Sequence, residues 1–297
     1  MESTHPKIQI VCGPTASGKS AYALELAAKL DGVIINCDSM QVYKEIPIIT
    51  AQPTAEEQQQ VEHRLYGGMP CKEHGSFSVG VWLKHAISEI TEVEKLGRTP
   101  ILVGGSGLYI SALLNGIADI PQVPSNISNR LRAELAEQGP EAMHARLRQV
   151  DQLAATQIKP RDGQRILRAL GVFAASGKPL SYFQQQPLQL WRPRINYHVK
   201  FIAPEREWLY ARINSRFDQM LKNGVLDEIT QLMQNHGVSD VPPAHGLREL
   251  MRAVSGEVEM AEAIEKSKQI TRNYAKRQFT WFKHQIVADE LVCLPKP

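Results

Sequence analysis

Gly13-Pro14-Thr15-Ala16-Ser17-Gly18-Lys19-Ser20 is a run suited to holding a phosphate chain. It matches G-x-x-x-x-G-K-[ST], in which glycines let the backbone wrap an anion and successive N–H groups point at its oxygens. Lys19 adds a point charge and Ser20 offers a hydroxyl to Mg²⁺. A lysine alone would be read as a surface residue, but the whole run, with a strand before it and a helix after, is not. The motif specifies a phosphate chain and leaves open the molecule that carries it. Asp38, in Asp38-Ser39-Met40-Gln41-Val42-Tyr43, follows an apolar run directly. A carboxylate there can coordinate Mg²⁺ or accept a proton, and it can equally be a helix cap or turn residue. No Asp-Glu pair closes an apolar strand, as ATP-hydrolysing machines usually show, which suggests that the anchored diphosphate is a leaving group. Gly104-Gly105-Ser106-Gly107 is a third signal, read either as close approach of a backbone or ligand or as a tight turn.

These residues need a scaffold that brings them together. Residues 7–12, 33–37 and 100–103 read as short buried strands, and the stretch through Leu30 and residues 79–96 have helical spacing. Alternating strands and helices predict an α/β fold with a mostly parallel, doubly wound sheet, in which ligands sit outside the carboxyl ends of the strands. From Pro121 to about Pro193 the apolar positions follow a helical period with no convincing strand. Residues 197–202 alternate again, Glu205 to Leu221 reads as a helix, and a long helix from about Glu257 to Phe282 closes the chain. The expected organisation is a core of residues 1–118 and 195–297 interrupted by a helical insertion, 119–194.

Composition is that of an ordinary globular protein: 297 residues, 43% hydrophobic and 22% charged. The segment Met1 to Lys7 lacks the apolar core of a signal peptide, and no run is long enough to span a bilayer. A cytoplasmic protein without membrane contact is expected. The four cysteines, Cys12, Cys37, Cys71 and Cys293, form no Cys-x-x-Cys pair and read as buried reduced thiols. Net charge is +3, unevenly spread: −3 over residues 1–118, +5 over 119–194 and +1 over 195–297. The middle third is therefore a candidate polyanion surface, although solvated helix faces give the same bias.

Taken in order, the motifs resemble those of the bacterial tRNA dimethylallyltransferases (tRNA isopentenyltransferases). The matching pieces are Gly13 to Ser20, Asp38 to Tyr43, Ile101 to Tyr109, Gln164-Arg165-Ile166-Leu167-Arg168-Ala169-Leu170 with Gly177-Lys178-Pro179, Arg212-Ile213-x-x-Arg216, and Arg272 to Phe282. They run in family order over nearly the whole chain. Departures exist: Ser106 stands for a usual threonine, Ile48-Ile49-Thr50-Ala51-Gln52-Pro53 for a segment carrying Gly-Thr-Ala-Lys-Pro, Asp162-Gly163 where an asparagine is common, and Ala244-His245-Gly246-Leu247 for Ala-Ile-Gly-Tyr.

The resemblance implies a P-loop NTPase-like core with a helical insertion. It implies dimethylallyl diphosphate as donor, and as acceptor the exocyclic amine of the adenine immediately 3′ of the anticodon in the tRNA anticodon stem-loop. It assigns Asp38 the role of base, has Thr15 contact donor and acceptor alike, and calls for Mg²⁺ at Ser20. Arg216, four residues after Arg212 on a predicted helix, is the candidate arginine for the leaving group; a surface ion pair with Asp218 or Glu207 is the alternative. RNA contacts are assigned to Asp38, Ser39, Met40 and Gln41, to Gly104, to the insertion around Asn126, and to Asp162, Gly163, Gln164, Arg165 and Ile166. On the last helix, Arg272, Lys276 and Lys283 form a basic stripe beside Ile264, Ala275 and Phe282, read as an RNA contact or as a solvated face. The set of accepted tRNAs is not legible in the sequence, nor is oligomeric state, for which a monomer is the expectation.

Two rivals share the phosphate loop. A small-molecule or nucleotide kinase leaves the basic insertion unexplained. A non-catalytic RNA-binding protein is opposed by the intact Lys19, Ser20 and Asp38.

Overall fold

The structure is a computed structural model and describes residues 8–73, 77–236 and 241–293. Met1 to Lys7, including the start of the first predicted strand, lie outside the described residues. The chain divides into two compact units, residues 1–114 with 192–297, and residues 115–191.

The first unit is an α/β layer structure. Its strands are β1 (Ile8–Cys12), β2 (Gly32–Asn36), β3 (His63–Arg64), β4 (Thr99–Gly104), β5 (Tyr197–Ile202) and β6 (Glu290–Val292), in the order β3-β2-β4-β1-β5-β6. Every neighbouring pair is parallel. All residues of β2 and β4 are buried, as expected of parallel strands covered on both faces and of runs such as Val33-Ile34-Ile35. Helix α1 (Lys19–Leu30) places Ala23 and Ala27 against Val11, Ile34, Ile101 and Val103. Between β2 and β4 lie α2 (Pro47–Thr50), α3 (Ala55–Gln60) and α4 (Val79–Lys95), and α5 (Gly107–Asn115) follows β4.

Because β1 lies between β4 and β5, and β2 is the next neighbour of β4, the turns after β1, β2, β4 and β5 all open at one edge of the sheet. This edge is the carboxyl end, and it collects the three motifs. The register sets Cys12 opposite both Gly104 and Phe201, so the phosphate loop begins level with the second glycine turn. Gly104 is required by this closeness: a Cβ there would lie 1.9 Å from the Cys37 carbonyl oxygen, a backbone atom that cannot yield.

The second unit is helical. Its main elements are α6 (Ser125–Val150), α7 (Gln152–Gln157), α8 (Gly163–Ser176) and α9 (Leu180–Gln184). Helix α6 is broken at Gly139 (φ 79°), ahead of Pro140, so it is two helices in series. Leu131, Met143 and Leu147 pack on Ile166, Ala169 and Leu170 to form this unit's own core.

In the first unit, α10 (Arg206–Lys222), α11 (Val225–Asn235), α12 (Leu247–Val254) and α13 (Met260–Gln285) complete the chain. Phe217, Ile229, Leu232, Leu250 and Met251 form an apolar cluster with Val42, Tyr43, Ile46 and Ile49, which props the segment after Asp38. The long last helix does not close the chain as the sequence suggests: β6 follows it and pairs with β5. This strand and β3 are too short for alternation to register. Cys12, Cys37 and Cys71 are buried and in no disulfide, whereas Cys293, expected buried, is exposed. Burial pushes the Cys12 thiol up to about 12, so it stays protonated.

Candidate active site

The phosphate loop leaves β1 and enters α1 through Gly18, whose φ of 90° is the left-handed conformation that glycine adopts without strain. No side chain caps this helix end, so its N–H groups are available to an anion. Lys19 folds back, its Nζ donating to the Pro14 carbonyl at 3.2 Å. Burial lowers the Lys19 pKa to about 8, against the raising effect of Asp38, with Arg216 lowering it further. The Ser20 side chain is exposed at the start of α1 and makes no hydrogen bond within the described residues. No group of three His, Cys, Asp or Glu side chains suited to a metal occurs among the described residues. A single hydroxyl fits Mg²⁺, which keeps water and phosphate oxygens as most of its ligands.

Of the roles left open by the sequence, the turn role of Asp38 is present. Its Oδ1 accepts the Met40 N–H at 3.0 Å, an Asx turn, and its own N–H donates to Asn36 Oδ1 at 2.8 Å. The side chain still faces the cavities described below. Ser39 donates its N–H to Ser106 Oγ at 2.8 Å, and the Ser106 hydroxyl donates to Ser39 Oγ at 3.1 Å. The departure from threonine thus keeps the hydroxyl where the two turns meet. Gln41 donates from Nε2 to the carbonyls of Thr50 and Ala51 at 2.9 and 2.7 Å, so this amide group is committed to holding α2. Glu228 holds the other end of α2 by accepting the N–H groups of Ile48 and Ile49 at 2.7 and 3.0 Å.

Arg216 is not a surface ion pair. Its guanidinium donates to Thr15 Oγ1 at 2.6 Å, while Asp218 pairs with Lys268 at 2.7 Å. Burial lowers the Arg216 pKa to about 10, with Asp38 raising it and Arg212 lowering it, so it remains a cation at neutral pH. Arg212 lies over the Trp208 ring, 4.8 Å from its centroid.

One residue of the site was missed in the sequence. Gln278 accepts the Thr15 N–H at Oε1 and donates from Nε2 to the Gly105 carbonyl, both at 2.8 Å. It was legible only as part of the Arg272 to Phe282 motif, because nothing in a buried glutamine's local sequence states its partners. On the same helix Arg272 donates to Asn214 Oδ1 at 2.7 Å, whereas Lys276 and Lys283 are exposed. Ala275 and Phe282 are buried, and Ile264 is half-buried against the cluster beneath.

Two adjacent spaces result. The outer one, about 480 Å³, is lined by the phosphate loop from Thr15 to Ser20, by Gln52, His63 and Tyr66, and by Arg212 and Asn223. The inner one is lined by Met40, Ile49, Ile213, Phe217 and Met220, with His245 and Tyr274. Thr15, Asp38, Thr50, Arg216 and Met220 line both. An anion held in the outer space can therefore carry an apolar group into the inner one, with a carboxylate and a guanidinium at the junction.

In the second unit, Asp162 caps α8 by accepting the Arg165 N–H at 3.2 Å. Arg165 has 73% of its side-chain surface exposed and meets Asp162 at 3.4 Å. Asn126 lies in the first turn of α6, and Gly163, Gln164 and Ile166 in the first turn of α8, where Ile166 points into the core.

A family model described as IPP transferase matches residues 41–285. A tRNA dimethylallyltransferase of Nitrobacter hamburgensis is 45% identical over 279 residues, covering 93% of this chain and 87% of that protein. One from Chelativorans sp. is 43% identical, covering 94% and 96%. A crystal structure of the full-length tRNA isopentenylpyrophosphate transferase of Bacillus halodurans superposes with a TM-score of 0.65 at 35% identity, covering 97% of this chain and 89% of that one. Crystallographic snapshots of a eukaryotic dimethylallyltransferase acting on tRNA give 0.78 at 28% identity, covering 97% and 74%.

Proposed function

The chain belongs to the IPP transferase family and is an enzyme that prenylates tRNA, and from that premise we propose the donor, the acceptor atom and the roles of the site residues. The donor is dimethylallyl diphosphate, and the acceptor is N6 of the adenine immediately 3′ of the anticodon. The observation that carries this reading is that Thr15, Asp38 and Arg216 line both the phosphate-loop cavity and the apolar inner space.

The diphosphate lies against Gly13 to Ser20 and the five-carbon group points inward, towards Met40, Ile213 and Phe217. The adenine turns out of its stack to reach Asp38, at a cost of a few kcal/mol. Its amine is a weak nucleophile because the lone pair is delocalised into the ring. Asp38 takes the amine proton as the N6 lone pair bonds to the allylic carbon; the carbon–oxygen bond breaks, and its electrons leave with diphosphate. Lys19, the open N–H groups of α1 and Arg216 stabilise that developing charge. Ser20 would hold Mg²⁺, which supplies further neutralisation of the diphosphate. Thr15, fixed by Arg216 and Gln278, sits where donor and acceptor meet.

For RNA, the second unit offers the start of α8, with Arg165 exposed, and the α6 turn at Asn126; the first unit offers the Asp38 to Gln41 turn, Gly104 and the exposed Lys276. Phosphate contacts of this kind position the RNA rather than read it. No helix among the described residues is long and apolar enough to cross a membrane; the expected site of action is the cytoplasm, and the working form a monomer. The test is one assay with labelled dimethylallyl diphosphate, unmodified tRNA and Mg²⁺. Transfer of label to RNA supports the reading, and ATP consumption without RNA labelling overturns it in favour of a kinase.

A further inference from the structure

The inner space is lined by several polar side chains that the chemistry above does not use. Its hydroxyls are spoken for: Thr15 Oγ1 accepts from Arg216, Thr50 Oγ1 donates to the Ile46 carbonyl at 2.6 Å, Thr271 Oγ1 donates to the Ser267 carbonyl at 2.9 Å, and the Tyr274 side chain hydrogen-bonds that of Gln278. His245 is different. Neither of its ring nitrogens has a hydrogen-bond partner among the described residues. Nor is either among the sealed and orphaned side-chain atoms of the described residues, which are Ser17 Oγ, Tyr197 Oη and Trp208 Nε1. Both nitrogens are therefore accessible rather than sealed, and the ring lines the inner space.

The ring is held in place. Its centroid is 3.8 Å from that of Tyr274, at an interplanar angle of 41°. The next residue, Gly246, is clamped on α13: its carbonyl accepts from Ser267 Oγ at 3.3 Å, and a Cβ there would lie 2.9 Å from Ser267 Cβ. Burial pushes the imidazole below its ordinary range, with Asp38 raising it and Arg277 lowering it, so near neutral pH it is uncharged and presents one N–H donor.

We propose that His245 is a specificity-determining residue which donates its ring N–H to a ring nitrogen of the acceptor adenine, beside the amine that Asp38 accepts. This rests on the acceptor proposed above. Adenine presents an N–H donor on its amine next to a lone pair on N1 on one side and on N7 on the other. A carboxylate and a neutral imidazole N–H lining one space are the complement of either edge. Guanine offers a carbonyl to the carboxylate and an N–H from N1 to the imidazole, so its Watson–Crick edge mismatches at both places and its Hoogsteen edge mismatches at the carboxylate.

The test uses tRNA carrying 1-deazaadenosine or 7-deazaadenosine at the acceptor position, with the wild-type enzyme, His245→Phe and His245→Asn. Phenylalanine keeps a ring on Tyr274 without a nitrogen, and asparagine keeps a donor. The wild type is expected to lose about tenfold in kcat/KM on one of the two analogues. His245→Phe is expected to lose a similar factor on adenine, to treat that analogue and adenine alike, and to keep the KM for the donor. His245→Asn is expected to recover part of the discrimination. The inference is overturned if the wild type uses both analogues as well as adenine, a result that needs no variant to fold. It is also overturned if the penalties of the analogue and of His245→Phe simply multiply. Failure of the wild type to prenylate unmodified tRNA at all would instead sink the proposed function, and this inference with it.

Discussion

Gln278 accepts the Thr15 N–H at 2.8 Å, so a residue near the end of the chain fixes the loop near its start. The same amide donates to the Gly105 carbonyl at 2.8 Å, joining the two glycine turns. Gln278→Leu removes both bonds and strands an N–H and a carbonyl. A loss of about 1–3 kcal/mol of stability is expected, together with a raised donor KM, because Thr15 loses its anchor. Chemical denaturation and steady-state kinetics check the two effects; an unchanged donor KM would mean that Gln278 only holds the fold.

Asp38 sits at the junction of the two spaces, and the reaction gives it the proton of the amine. Asp38→Ala is expected to lower turnover by about 10²–10⁴-fold while leaving tRNA affinity within a few-fold. Single-turnover rates beside filter-binding titrations separate the two. A variant that mainly loses RNA affinity would make Asp38 a recognition residue and not the base.

Lys19 is an unusual lysine, with a pKa lowered by burial to about 8. A protonated Lys19 attracts the diphosphate and a neutral one does not. Protonation is complete well below that value and is lost as pH rises through it. The donor KM is therefore expected to rise across the window from about 7 to 9 while tRNA affinity holds. Lys19→Arg is expected to flatten that rise, since an arginine does not titrate there.

Arg165 is the exposed cation at the start of α8, and its contact with Asp162 at 3.4 Å is too weak to occupy it. Arg165→Ala is expected to weaken tRNA binding and to reduce the magnitude of the log–log salt slope by about one. Titrations at several salt concentrations measure both; an unchanged slope would remove Arg165 from the phosphate contacts.

The fold was legible where the sequence speaks locally. Parallel strands such as Val33-Ile34-Ile35 and Pro100-Ile101-Leu102-Val103 announce themselves by unbroken apolar runs, and the phosphate loop by glycine spacing. What was illegible was set by tertiary contact. The two residues of β3 and three of β6 carry too few positions for any period. Gln278 and Glu228 look like surface residues until the partners they hold, 263 and 180 positions away, are known. Arg216 was ambiguous for the same reason: its neighbours in sequence are carboxylates, but its neighbour in space is Thr15. His245 stood out only as a departure, and its meaning depends on the ring and the space it faces.

The central strand has a consequence for synthesis on the ribosome. β1 pairs on one side with β4 and on the other with β5, whose partners to Ile8–Cys12 are Tyr197–Phe201. A nascent chain must therefore carry one bare, apolar strand edge throughout translation of the whole helical unit, which has a core of its own and can compact as it emerges. Until residue 201 clears the exit tunnel, that edge is open to stray pairing, and this interval is when the newborn polypeptide has most need of a chaperone.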